Sequence, residues 1–544
     1  MNNQEIQKNN KIEAQLQEEE AQLQEILNYY KSDRGSKPMQ LQFTLARDEG
    51  GLTILPDHPV VREFLTLSYR QMIKQGGRTR FDNIKEPMYS LTSDRGQAAL
   101  HTHQGFWQDL TKHLRSLNHE VTLHDVRRPV LDEPNYGSAL TGLRPFQKDW
   151  ITDALKTGNS GLLGAPTRFG KSYGMTAIAR AFPNATIVVT APGVDLCKQL
   201  HQHFLDVLPH REIKGVYTGS RNSKQSDGIT ICSIDSLHKM DHDTTEILII
   251  DEPHAAVSDE RLPKIAAFNR ARKYGFGATL NGRFDQKDRL IVGLIGPIIS
   301  NVTYRQAVEW KAIAPLKVIM VKVPFSKDTL PGRYMDRDIV YKRLLTQSSR
   351  TAALVKKLVE DVIPNDWQTM AFIKDEKQAL FYLENAMPEV GTIAMAKRLK
   401  AKERDAVTAG IANNEIIRVL ASNIYVQGVT FPDLKVVLNL AGGGANTTAI
   451  QKPGRLLQTR PNKNYGVMVD FVFECRDQEM ETRANPPYRG IVGECWARHK
   501  AYKEIGYDIE FVESSDRARE IILGAYSNDG DEQTTASVAD SSQP

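Results

Sequence analysis

Cysteine is scarce. Cys197, Cys232, Cys475 and Cys495 are the only four in 544 residues, and no two form a Cys-x-x-Cys pair. Thiols scattered in this way point to neither a zinc module nor a disulfide framework, and they suit a reducing compartment. Long apolar runs are missing as well. No stretch approaches the roughly 18 residues needed to span a bilayer, and Met1 to Asn10 is polar, unlike a signal peptide. These absences predict a soluble, cytoplasmic protein with no membrane partner. Charge of one sign is also lacking. The 70 Lys and Arg nearly balance the 66 Asp and Glu, leaving a formal net charge of +4. Spread over this length, that is weak support for a polyanionic partner, although a local basic groove can exist without a net excess.

What is present is a soluble balance of 25% charged and 40% hydrophobic residues, in a chain long enough for two or three cores. Residues 1–37 are rich in Gln, Glu and Lys, with sparse apolar positions at Ile6, Ile12, Leu16, Leu23 and Leu27. They predict a solvated helical arm rather than a coiled coil, because no heptad is sustained. Residues 38–133 predict a small α+β accessory domain. A strand is expected over Leu41 to Leu45, helices over Val60 to Ile73 and Phe106 to Leu117, and a strand over Val121 to Leu123. Arg70, Lys74, Arg78 and Arg80 around Gly76-Gly77 make a candidate DNA contact, or equally a solvated surface. Phe106 and Trp107 are expected in the core.

After the turn-rich Asp132 to Gly137, short apolar runs alternate with helical stretches. The runs are Gly161 to Leu163, Thr186 to Thr190, Ile229 to Ser233, Ile247 to Ile250 and Tyr274 to Gly277. A second series begins near Pro315: Val318 to Val323, Thr369 to Phe372, Val419 to Ser422, Val436 to Leu440 and Tyr465 to Phe471. Unbroken apolar strands separated by helices imply parallel sheets covered on both faces. The expected fold class is therefore α/β, with two tandem parallel-sheet lobes at 134–313 and 314–527 and a cleft between them. Residues 528–544 carry Asp, Ser, Thr and Gln without apolar spacing, as disordered tails do.

Ala165-Pro166-Thr167-Arg168-Phe169-Gly170-Lys171-Ser172 follows one expected strand and precedes the helix-compatible run Tyr173 to Phe182. That is the setting of a phosphate-binding loop. Backbone N–H groups and the positive helix end would cradle phosphates, Gly170 would allow close approach, Lys171 would add a point charge, and Ser172 a hydroxyl for Mg²⁺. The usual first glycine of such a loop is here Ala165. An ordinary strand-to-helix turn with an accidental Gly-Lys-Ser is the alternative.

Eighty positions beyond Lys171, Ile247 to Ile250 leads into Asp251-Glu252-Pro253-His254. Carboxylates at the carboxyl end of a buried strand stand where open α/β sheets bind ligands. Asp251 can hold Mg²⁺ through water, and Glu252 can orient and deprotonate the water that attacks a γ-phosphate. A helix cap is the structural alternative for these carboxylates, and a packing role is the alternative for His254.

Together these motifs resemble the superfamily-two helicases and translocases, in particular their Asp-Glu-x-His branch, and the resemblance runs from about Leu143 to Tyr526. Leu143-Arg-Pro-Phe-Gln147-Lys148 looks like the entry motif, which implies that Gln147 reads the adenine edge. Thr190-Ala-Pro192 and Ser233-Ile-Asp-Ser236 match the nucleic-acid-contacting motifs Ia and Ib. Gly277-Ala-Thr279-Leu280 is similar to the coupling motif. Met370 to Ile373 resembles motif IV, Ser422 with Gly428 resembles motif V, and Gln451-Lys-Pro-Gly-Arg455 resembles motif VI, whose Arg455 would act as an arginine finger. The order and spacing of these short signals carry the likeness more than any one of them.

The resemblance implies RecA-like lobes, the cofactors ATP and Mg²⁺, and a DNA partner. Gly428 to Pro432, Gly282-Arg-Phe-Asp285, Val469 to Phe471 and Arg498 to Tyr502 are similar to the phage UvsW and XPB-like DNA helicases. They imply action on branched or forked DNA in recombination, repair or replication, in a bacterial cell or a phage-infected host. An RNA helicase, a double-strand translocase that does not separate strands, and a binding scaffold with a lapsed ATPase are the alternatives. Two positions depart from the family pattern. Thr430 stands where motif V commonly has an acid, and Gln458 where motif VI commonly has a second arginine, with Arg460 nearby.

Overall fold

The computed structural model describes residues 40–75, 78–127, 131–158, 160–216, 225–280, 286–326, 328–330, 337–388, 392–394, 401–422, 433–443, 452–477, 488–513 and 515–526. The expected basic stretch Arg70 to Arg80 has a described backbone only. Gly282 to Asp285, Gly428, Thr430, Gln451, the N-terminal arm and the C-terminal tail lie outside the described residues. The chain forms two compact units, Met1–Pro129 with Phe284–Pro297, and Val130–Arg283 with Ile298–Pro544.

In the first unit, the strands are β1 (Gln42–Arg47), β2 (Leu52–Leu55), β3 (Thr66–Gln75), β4 (Arg78–Pro87), β5 (Tyr89–Asp94), β6 (Gln97–Thr102) and β7 (Glu120–Asp125). The sheet order is β5-β6-β2-β1-β7, in which β1 and β7 run parallel and the other pairs antiparallel. Alternation along β1 sends Phe43 and Leu45 into the core, where Leu110 and Leu114, four apart on the helix Trp107–Ser116, are also buried. Phe106 is buried, as expected, and Trp107 is half-buried with the guanidinium of Arg47 5.1 Å from its ring centre. Asp288–Ile295 forms a helix that belongs to this unit although it follows the first lobe's strands in sequence. Its Gly293 lies so close to Phe106 that a Cβ there would sit 2.5 Å from the ring.

The helix expected over Val60 to Ile73 is corrected. Helix ends at Phe64, and the chain continues as β3, paired in register with β4 over ten residues from Thr66↔Pro87 to Gln75↔Arg78. Val61 and Leu65, four apart, fit a helical face, whereas Leu67 and Tyr69, two apart, alternate as in a strand. A ten-residue ladder of backbone hydrogen bonds decides in favour of strand.

The second unit holds both lobes. The first lobe has β8 (Gly161–Gly164), β9 (Ile187–Ala191), β10 (Ile213–Val216), β11 (Ile229–Ser233), β12 (Ile247–Asp251), β13 (Arg272–Gly277) and β14 (Ile298–Asn301). The second has β15 (Leu316–Phe325), β16 (Thr369–Phe372), β17 (Thr392–Ala394), β18 (Arg418–Ala421), β19 (Val436–Asn439), β20 (Gly466–Cys475) and β21 (Asp508–Val512). Described pairings in both sheets are parallel, and every residue of β8, β9, β11 and β12 is buried, as the apolar runs predict. The orders are β10-β11-β9-β12-β13-β8-β14 and β17-β18-β16-β19-β20-β15-β21. Counted from the first strand of each lobe, both read 3-4-2-5-6-1-7, so the lobes are topological repeats.

The join between them is tied on both sides. Thr303 caps the helix Tyr304–Glu309 in a reciprocal box with Gln306. The Tyr304 hydroxyl accepts from Leu316 N at 2.8 Å, and its ring meets Tyr507 edge-on at 4.8 Å. Ala314 N donates to Leu457 O at 2.8 Å.

Candidate active site

The strand order places β13 between β8 and β12. Their carboxyl ends therefore set the phosphate loop, the coupling segment and the acidic pair side by side. Ala165 N donates to Gly277 O at 3.1 Å and Glu252 N to Phe276 O at 2.8 Å, so β13 braces both neighbours. Ala165 itself is buried, so its methyl group packs into the lobe and the loop closes without the usual first glycine. Gly170 has φ +100° and precedes the helix Lys171–Ala181, a conformation open to glycine at little cost.

Gln147 braces the loop rather than facing an open base site. Its Nε2 donates to Phe169 O at 2.9 Å, its Oε1 accepts from Arg144 N at 3.1 Å, and the residue is buried. One donor and one lone pair remain for other partners. Lys171 Nζ lies 3.4 Å from Ala165 O and 4.0 Å from Glu252 Oε1. Ser172 stands in the first turn of the helix and is half-buried.

Glu252 adopts φ +50°, an unfavourable conformation for a side chain with a Cβ. It occupies the N-cap position of the short turn Pro253–Ala256 but makes no capping hydrogen bond. The capping alternative therefore fails for this carboxylate. Its Oε2 lies 3.2 Å from His254 Nδ1, so His254 orients the carboxylate instead of filling a core. Burial would raise the Glu252 carboxyl, but the His254 hydrogen bond and the Lys171 charge hold it below the usual range. Asp251 is pushed up to about 7, first by burial and then by the neighbouring Glu252 charge. A buried carboxylate so disfavoured as an anion suits a site that receives a cation. With the Ser172 hydroxyl it offers the hard oxygen donors that Mg²⁺ takes. Thr279 adds a buried Oγ1 with no hydrogen-bond partner among the described residues.

Motif VI reaches this cluster from the second lobe. Pro453–Leu457 forms a 3₁₀ turn in which Arg455 is buried. Gly454 approaches Thr167 so closely that a Cβ would meet Thr167 Oγ1 at 2.8 Å. Burial first, and nearby Arg168 second, lower the Arg455 guanidinium to about 9, and Glu252 opposes the shift. The missing second arginine is not supplied by Arg460, which is exposed and pairs with Asp433 at 3.6 Å.

Two residues expected to contact nucleic acid have buried side chains. Thr190 is fully buried. Ser233 is buried and donates to Ser236 Oγ at 3.0 Å. Both hydroxyls lie within the fold because their strands are covered on both faces, which leaves half-buried Pro192 as the more accessible expected contact there. Ser422 directly follows β18 and is half-buried.

Sequence reasoning missed Lys452. This buried ammonium group donates to Asn439 Oδ1 at 2.9 Å, and Asn439 Nδ2 donates to Asp470 Oδ1 at 3.2 Å. Asp470 is also held by Arg498 Nε at 2.7 Å and by the Tyr502 hydroxyl at 3.0 Å. The two passages around Asp470 and Arg498 that carried the likeness to DNA helicases thus meet in one buried cluster that leads back to motif VI.

A sequence profile described as the type III restriction enzyme res subunit matches residues 140–282. A helicase candidate, number 22, of the Sulfolobus islandicus filamentous virus is 24% identical over 357 residues, covering 60% of this chain and 62% of the viral one. The DNA 3'-5' translocase XPB2 of Sulfurisphaera tokodaii is 24% identical over 364 residues, covering 58% of this chain and 79% of the translocase. These likenesses are to proteins of the superfamily-two helicase type. The chain is also similar to the crystal structure of T4 UvsW, at 14% identity and a TM-score of 0.37, covering 87% of this chain and 99% of that one. The match spans less than two thirds of the viral relative's length. No described helix is long and apolar enough to cross a membrane.

Proposed function

We propose that the chain couples ATP hydrolysis to movement along DNA, and that forked or branched DNA is the substrate it remodels. The carrying observation is the meeting of Lys171, Asp251 and Glu252 of one lobe with buried Arg455 of the other. Such a site is complete only when both lobes contribute to it. Nucleotide state and lobe contact are then linked, and alternating closure produces stepping.

In this cycle Lys171 and the loop N–H groups bind the phosphates, Glu252 takes a proton from the attacking water, and His254 keeps that carboxylate aligned. Arg455 stabilises charge on the transferring group. Ser172 and Asp251 would hold Mg²⁺, which supplies charge neutralisation when bound. DNA is preferred to RNA because the translocase relative is named for DNA. Contacts to backbone phosphate would leave the motor largely indifferent to sequence.

The test is ATPase stimulation by single-stranded, duplex, forked and four-way DNA and by matching RNA. Forked or four-way DNA should stimulate most, and stimulation by RNA alone would sink the proposal. A second reading, duplex translocation without strand separation, is favoured by the same relative's name. Triplex displacement without unwinding would select it.

A further inference from the structure

Arg168 lies within the phosphate loop, where backbone groups do most of the binding, yet it carries a long cationic side chain. Its φ is +70°, a region in which glycine is at ease and an arginine is not. The residue before it, Thr167, is the one that Gly454 approaches across the cleft. The residue after Gly454 is the buried Arg455. The chain directions at this contact therefore bring Arg168 of one lobe beside Arg455 of the other. Burial disfavours the charged form of both guanidinium groups, and the Arg168 charge acts in the same sense on Arg455.

The Lys171 ammonium and the Arg455 guanidinium lie near the Glu252 carboxylate, and the Arg168 guanidinium stands beside Arg455, so several cationic groups meet in this cleft. Like charges held together in this way suit a multiply charged anion whose oxygens accept from both forks. Among the described residues of motif VI, position 458 is glutamine and Arg460 pairs with Asp433.

We propose that the Arg168 side chain is a catalytic second guanidinium, contacting the γ-phosphoryl group together with Arg455 while the loop backbone holds the β-phosphate. The inference rests on the ATPase reading above. In the step it serves, the water oxygen bonds to the γ-phosphorus and the bond to the β–γ bridging oxygen breaks. The electron pair leaves with ADP, and the water's proton passes to Glu252. Arg168 stabilises negative charge on the γ-oxygens as this occurs. One guanidinium is built into the loop and the other arrives from the partner lobe, so the lobe-1 fork is in place before closure.

The test uses the full chain with saturating forked DNA and compares wild type, R168G, R168K and E252Q. Glycine suits φ +70°, so R168G should melt at or above the wild-type temperature while kcat falls about 10²- to 10³-fold. R168K should restore part of the rate, because it returns the charge without the fork. R168G should also bind AMP-PNP several-fold more weakly while binding ADP as wild type does. R168G turnover within about threefold of an active wild type, or a rate loss matched by a fall in melting temperature, overturns this assignment alone. Wild type no faster than E252Q overturns the ATPase reading and this inference with it.

Discussion

Replacing Gly454 by alanine tests whether the contact between the lobes is the working geometry. A Cβ at 454 would lie 2.8 Å from Thr167 Oγ1, 2.9 Å from its Cβ and 3.1 Å from its Cγ2. Carbon atoms rest at about 3.5–4.0 Å, so the two segments must part by roughly 0.6 Å. Rotation cannot relieve this, because threonine is stiff at χ1 and its Cβ is itself one of the contacts. The displacement falls on Arg455, the next residue. A misplacement of about 1 Å costs about 10²-fold in rate, so G454A should lower DNA-stimulated kcat about ten- to thirtyfold, or ~1.4–2 kcal/mol in barrier. In a T167G background, which removes all three clashing atoms, the same alanine should cost less than about twofold. Wild-type kcat in G454A, or an equal loss in the T167G background, would refute the reasoning.

Glu252→Gln removes the proton acceptor but keeps its shape, so turnover should fall by about 10²- to 10⁴-fold with AMP-PNP affinity unchanged; weaker binding of the analogue would count against the role. Asp470 is fully buried and its carboxyl is held below the usual range; burial alone would raise it, but Arg498 outweighs that. A depressed carboxyl contributes stability that is present above its unfolded pKa of about 3.9 and is lost as pH falls through the folded value. D470N should cost ~3–5 kcal/mol near pH 7 in urea unfolding, because Arg498 is left uncompensated, and the gap to wild type should narrow in acid; a constant gap would reject the linkage. In the first unit, G293A places a methyl against the Phe106 ring and should cost ~1–3 kcal/mol, read as a lower melting transition, and F106A should cost ~3–5 kcal/mol.

The motor was legible because its signals are local. Ile247 to Ile250 is an unbroken apolar run followed by Asp251 and Glu252, and it is β12 with its acidic end. The phosphate loop was legible for the same reason, since strand, loop and helix are contiguous. What eluded the sequence depends on long-range contacts. Nothing local records that the hydroxyls of Thr190 and Ser233 lie within the fold, that the Gln147 amide binds Phe169, or that Arg460 pairs with Asp433. Lys452 and Asp470 are 18 positions apart and become neighbours only when β19 and β20 pair. The β3–β4 hairpin had a usable signal, two strand-compatible runs flanking Gly76-Gly77, but Val60 to Ile73 also fits a helical period.

The helix Asp288–Ile295 buries Leu290, Ile291 and Leu294 in the first unit while its sequence neighbours on both sides belong to the second. The chain therefore crosses between the units three times, near residues 129, 283 and 297. The N-terminal unit is thus not a detachable module. A truncation starting at Val130 would strip that helix of its partners and present an apolar face to other chains, inviting aggregation rather than yielding a clean motor. A single proteolytic nick near residue 129 should leave both fragments travelling together until denatured. Exchange of this unit between related motors would need two matched splices, so its variation should be confined to substitution within the unit more than to wholesale replacement.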